Sequence, residues 1–95
     1  MTTANILIVE DESLVAMDLR MRLERRGYRV CGIAATGGEA LALARTHRPD
    51  LVLMDIFLGP GPNGVETHLA MKAFLDVPVV YLTAWHSIVT LGNLR

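Results

Sequence analysis

Four positions in this sequence carry side chains that could do chemistry together, and each lies just past a short apolar run. Glu10 and Asp11 follow Ile6-Leu7-Ile8-Val9, Asp55 follows Leu51-Val52-Leu53-Met54, and Thr83 follows Val79-Val80-Tyr81-Leu82. An unbroken apolar run of that length reads as a strand buried on both faces, as in the middle of a parallel sheet. In open α/β sheets, ligands and reactive groups gather just beyond the carboxyl ends of the strands. Three carboxylates meeting in one such crevice repel one another unless a cation neutralises them. Mg²⁺ is the natural partner, because it takes one or two carboxylates together with waters and phosphate oxygens. A carboxylate beside Mg²⁺ can be a nucleophile toward phosphorus, giving an aspartyl phosphate. The metal and a hydroxyl such as Thr83 would then bind the phosphoryl oxygens as charge shifts. Taken singly, Asp55 is equally well a solvated carboxylate that ends a strand.

The elements that must position these groups follow from the same sequence. Residues 6–9, 28–35, 51–54 and 79–82 read as strands, and residues 13–26, 36–47 and 63–75 as helices. In the first helix Val15, Leu19 and Leu23 recur at i, i+4 and i+8, and Leu14, Met17 and Met21 widen the stripe. Arg25-Arg26 complement the helix dipole at its end, and Gly27 suits the left-handed residue just beyond. Thr36-Gly37-Gly38-Glu39 matches a capping box, in which Thr36 and Glu39 satisfy each other's backbone donors. Ala40-Leu41-Ala42-Leu43-Ala44 are good helix formers, and Pro49 stops that helix. Asn63, with Glu66 three residues on, caps the third helix. Strands alternating with helices on short connections imply right-handed crossovers and a parallel sheet covered on both faces. The expected class is therefore α/β, a three-layer doubly wound sandwich. Residues 86–95 could add a short helix, interrupted by Gly92 and Asn93.

Composition narrows the function. The chain of 95 residues, 52% of them hydrophobic, suits a single small domain over 1–95 rich in buried strands. No apolar run approaches the roughly 20 residues of a membrane span, and the start lacks the basic region of a secretion signal. The single cysteine, Cys31, excludes an internal disulfide, reads as a small core residue, and fits a reducing cytoplasm. The formal net charge is −1, and Arg20, Arg22, Arg25 and Arg26 alternate with Asp18 and Glu24, so a solvated helix face is expected rather than a nucleic-acid surface. His47, His68 and His86 lack metal-ligand spacing and read as surface or helix-end residues. Ser13 and Ser87 have no recognisable triad partners, and Gly37-Gly38 lacks the Lys-Ser/Thr of a phosphate loop. Met17, Met21, Met54 and Met71 read as core filler.

In order, Ile-Leu-Ile-Val-Glu10-Asp11-Glu12, Leu-Val-Leu-Met-Asp55-Ile, the Pro/Gly loop with Asn63-Gly64, and Val-Pro78-Val-Val-Tyr-Leu-Thr83-Ala84 resemble the receiver domains of two-component response regulators. The resemblance covers residues 6–84. It implies a flavodoxin-like sheet in the order 2-1-3-4-5, with Asp55 as phospho-acceptor. Asp11 would be a direct Mg²⁺ ligand beside Asp55, Glu10 a ligand through water or an orienter of that water, and the backbone carbonyl of Phe57 a further ligand. Thr83 would be the switch hydroxyl and Ala84 the small neighbour that leaves room for it. The implied donor is a histidine kinase or a His-containing phosphotransfer protein, and the chain would be an acceptor, not an enzyme with turnover.

The family pattern goes on to a fourth helix, a fifth strand ending in Lys, and a fifth helix. Here the only lysine is Lys72, inside the third helix. The expectation is a receiver truncated at its C-terminus, with weakened phosphorylation for want of that charge-assisted contact. An unpaired fourth strand would leave a hydrophobic edge, through which the chain either forms a homodimer or is only marginally stable. Tyr81 and Trp85 could lie at such a contact. Two other readings stand beside this one. Phosphatases of the haloacid dehalogenase type also use a strand-end Asp and Mg²⁺, but place a second acid where this chain has Phe57. A receiver-like interaction module that takes no phosphoryl group is the other.

Overall fold

The apolar runs pair as expected. A computed structural model describes residues 3–82. Its strands are β1 (Asn5–Val9), β2 (Arg29–Ala34), β3 (Leu51–Asp55) and β4 (Val79–Leu82), interleaved with α1 (Ser13–Arg25), α2 (Gly37–His47) and α3 (Gly64–Met71). All the pairings are parallel and the sheet order is β2-β1-β3-β4. The expected α/β sandwich is therefore present, with β1 and β3 in the centre. The expectations for Thr83, Ala84, Trp85 and the helix at 86–95 fall outside the described residues. No helix among the described residues is long and apolar enough to cross a membrane.

Strand alternation divides the core into two layers. Leu7 and Val9 of β1 join Val52 and Met54 of β3 beneath Ala40 and Ala44 of α2 and Met71 at the end of α3. Ile6 and Ile8 point the other way and join Leu53 and Leu82 beneath Ala16 and Leu19 of α1. The edge strand β2 carries one extra residue. Ile6 pairs with Val30 and Leu7 with Gly32, so Cys31 has no counterpart on β1, and its thiol donates to the Ile6 carbonyl at 3.5 Å. This β-bulge is invisible in the uniformly apolar stretch that contains it.

Three local expectations are corrected. The buried face of α1 is Ala16 and Leu19, flanked by the half-buried Val15 and Leu23, whereas Leu14 is 84% exposed and Met17 and Met21 are also exposed. At 3.6 residues per turn, 14, 17 and 21 lie on the side of the helix opposite 16 and 19, and only the latter pair faces the sheet. Met54 and Met71 do fill the core. At the start of α2, Glu39 N–H donates to Thr36 Oγ1 as expected, but Glu39 Oε1 accepts from Ala35 N–H rather than from Thr36. The α-helix α3 ends at Met71, and Phe74 and Leu75 N–H groups close a final turn on the Met71 carbonyl.

The ends of α1 and α2 are set by backbone chemistry. Gly27 at φ +89° donates to Glu24 O and Tyr28 N–H donates to Leu23 O, the pair of bonds of a Schellman motif. Pro49 disfavours the helical conformation at the residue before it, and Arg48 leaves the helix with φ +45°.

Candidate functional site

β1 and β3 are neighbours, with Val9 paired to Met54, so the residues that follow them emerge side by side. Glu10 and Asp55 are 5% and 7% exposed, and Asp11 lies on the surface beside them. One carboxylate oxygen from each of Glu10, Asp11 and Asp55 lies within 4.8 Å of the other two. The structure thus brings together three of the acids singled out in the sequence. Backbone donors fix two of them: Glu12 N–H donates to Glu10 Oε2 at 3.0 Å, and Phe57 N–H donates to Asp55 Oδ1 at 3.1 Å. Phe57 belongs to the same turn and is 65% exposed.

Burial dominates the electrostatics. It pushes Glu10 up to about 7, against the Glu12 N–H bond that favours the anion, and the nearby Asp55 raises it further. Burial likewise holds Asp55 above the usual carboxylate range, partly offset by the Phe57 N–H and by Glu10, while Asp11 and Glu12 add repulsion. Neither ion pair among the described residues, Arg20–Glu24 or Arg22–Asp18, involves Glu10, Asp11 or Asp55. The chemistry of the donor set fits a hard divalent cation: all oxygen, two groups buried and one at the surface, with surplus negative charge.

β4 delivers its carboxyl end to the same place, since Asp55 pairs with Leu82 and Ile56 N–H donates to Leu82 O at 3.4 Å. Thr83 and Ala84 come next in sequence, outside the described residues. The two N–H donors escaped sequence reasoning because every residue but proline has one, and only the fold tells where it points. His68 sits in the last turn of α3, a helix-end residue as expected. It is half-buried, with Nδ1 hydrogen-bonded to the Tyr81 hydroxyl of β4. Sole Lys72 caps the C-terminal end of α3, whereas the other end of that helix abuts Asp55.

The chain spans well under half the length of the curated relatives it matches. The transcriptional regulatory protein PdtaR of Mycobacterium tuberculosis is 41% identical over 80 residues, which is 84% of this chain and 38% of that protein. The solution structure of the PhyR response regulator REC domain of Erythrobacter litoralis superposes with a TM-score of 0.82 at 36% identity, covering 90% of this chain and 66% of that one. PhyR of Bartonella quintana, an anti-anti-sigma factor solved in complex with the anti-sigma factor NepR, gives 0.77 at 33% identity over 83% of this chain and 33% of that one. A family model described as the response regulator receiver domain matches residues 6–94. With that match over nearly the whole chain, and with the sheet order and acids of β1 and β3 where the sequence led us to expect them, the chain belongs to the response regulator receiver domain family.

Proposed function

We propose that this chain is a phospho-accepting receiver in which Asp55 takes a phosphoryl group from a phosphorylated histidine of a partner protein. The reading is carried by one observation: three carboxylates, two of them buried, hold oxygens within 4.8 Å of one another at the carboxyl ends of adjacent parallel strands. In the transfer an Asp55 oxygen attacks phosphorus as the P–N bond to the donor imidazole breaks. The imidazole leaves with the bonding pair and takes up a proton. Asp11, Asp55 and the Phe57 carbonyl would hold Mg²⁺, with Glu10 acting through water. Bound there, Mg²⁺ supplies charge neutralisation for the acids and the transferring oxygens. The Phe57 N–H keeps the Asp55 carboxylate oriented, and Glu10 holds a proton near neutrality when no cation is present. Thr83 is the switch hydroxyl in this reading, with Ala84 leaving it room.

The donor is a histidine kinase or His-containing phosphotransfer protein of the cytoplasm. The exposed stripe of Leu14, Met17 and Met21, on the helix that begins just after the acids, supports a protein partner at the mouth of the site. Neither nucleic acid nor membrane is assigned, and a second copy at the β4 edge is the assembly expected.

Intact mass after incubation with a small-molecule phosphodonor tests the proposal. We expect a Mg²⁺-dependent gain of one phosphoryl group, absent in Asp55→Asn. No gain in folded protein would favour a second reading, an interaction module without phosphorylation. The PhyR relative solved with a protein partner supports that reading.

A further inference from the structure

Glycine at position 64 lets α3 begin in direct contact with the residues that carry the acceptor. A Cβ built there would overlap the carbonyl oxygen of Asp55 and stand 2.9 Å from Ile56 Cα and 3.0 Å from Asp55 C. Real Cβ contacts do not come that close, and the neighbours in question are main-chain atoms, with no rotamer to yield. Gly64 N–H also donates to Ile56 O at 2.9 Å, so the first turn of α3 rests on the Asp55–Ile56 peptide and is hydrogen-bonded to the next carbonyl.

The first turn of the helix is itself stiff. Its start is fixed by a full capping box, with Glu66 N–H donating to Asn63 Oδ1 at 2.8 Å and Asn63 N–H to Glu66 Oε1 at 2.9 Å. A second element also bears on it. Gly37, the first residue of α2, abuts the fully buried Thr67 and Pro62, and a Cβ there would lie 3.2 Å from Pro62 O. With the first turn of α3 stiffened by its cap and α2 packed against Thr67 and Pro62, the atoms nearest a side chain at position 64 are those of Asp55 and Ile56. Two residues on, Phe57 donates the bond that orients the Asp55 carboxylate.

We propose that Gly64 is a positioning residue for the acceptor site, its lack of a side chain letting α3 seat the Asp55–Phe57 turn so that the Asp55 carboxylate faces the acids following β1. This rests on the reading of Asp55 as a phospho-acceptor. Gly64 touches neither metal nor phosphorus. It acts through the backbone of the turn, and its loss should disturb the site more than it disturbs the fold.

The test compares Gly64→Ala with Met71→Ala, which opens a cavity at the far end of the same helix. Three quantities are read on folded protein: the thermal melt, Mg²⁺ affinity by calorimetric titration, and the amide shift of Phe57 by NMR without metal. Gly64→Ala should weaken Mg²⁺ binding roughly 10- to 100-fold, the range for groups that orient metal ligands, move the Phe57 amide signal, and slow phosphoryl uptake. Met71→Ala should melt earlier yet keep wild-type Mg²⁺ affinity and the Phe57 signal. Equal Mg²⁺ affinity in Gly64→Ala and wild type, or equal losses in both variants, would overturn the proposal. If Gly64→Ala does not fold, Asn63→Ala carries the test once a lowered melt shows that the turn has loosened without an added atom at 64; weakened Mg²⁺ binding then supports the proposal and unchanged binding overturns it. Asp55→Asn separates the two claims. A wild type that takes up phosphoryl groups through Asp55, beside an unaffected Gly64→Ala, sinks only the role of Gly64. A wild type that takes none up sinks both.

Discussion

His68 and Tyr81 show how much of a residue's environment local sequence leaves unwritten. They are 13 positions apart, on α3 and β4, and the fold alone makes them partners. Burial, with the nearby Lys72 charge on the same helix, holds the His68 imidazole below its ordinary value of 6.5. Burial likewise raises the Tyr81 phenol, leaving it a neutral hydroxyl near pH 7. The folded state therefore takes up a proton on His68 less readily than the unfolded chain. The resulting stability is intact above about 6.5 and is lost as pH falls. Between about pH 7.5 and about pH 5.5, the wild-type melting temperature should fall more than that of His68→Gln; equal falls would refute the assignment. The acids of the site were legible for the opposite reason: each follows an apolar run, so strand ends alone place them. Leu14, Met17 and Met21 misled because an apolar residue on an amphipathic helix can serve a partner as readily as a core.

At the scale of elements, capping chemistry was the most readable feature and also supplies a direct test. Asn63 and Glu66 form the reciprocal box that their spacing suggests, while Thr36 and Glu39 form only half of one. The pattern is the same, but Glu39 reaches past Thr36 to the Ala35 amide, a choice of one residue that spacing cannot make. Removing the Asn63 side chain should cost about 1 kcal/mol, a fall in melting temperature of roughly 4–8 °C for a domain of this size. An unchanged melt would mean that packing on β3, not the cap, holds the helix start. Strand positions were read to within a residue or so, because alternation between two buried layers leaves only apolar side chains in the centre of the sheet.

For the molecule as a whole, the sheet order and the layering follow from the β-α-β alternation and the handedness of its crossovers. One side of the core was expected to be left less covered, and among the described residues the two layers are filled unevenly. α2 and α3 cover one face of the sheet, whereas among the described residues α1 alone covers the other. A groove of about 780 Å³ runs beside α1, floored by Leu19, Leu23, Leu53 and Leu82. β4 pairs on one side only among the described residues. A strand edge beside apolar surface favours pairing with a like edge. Light scattering should therefore give a mass that rises with concentration toward twice the 10.4 kDa of the chain. A constant monomer mass would show that the edge is closed in solution.

The bulge in β2 decides where this chain can change length. Val30 and Ile33 serve the layer under α1, while Cys31 and Ala34 serve the layer under α2, and Gly32, which packs on Leu43 of α2, falls in that second layer. The two consecutive positions 31 and 32 therefore lie on the same side, a stutter in an otherwise two-residue rhythm. Losing Cys31 would leave Val30, Gly32, Ile33 and Ala34 in strict alternation, each still opposite its present partner on β1. Losing Ile33 instead would bring Ala34 opposite Ile8 and turn a small side chain toward a space shaped for a large one. Within this strand, only the bulge lets a residue go without moving its neighbours to the wrong side of the sheet.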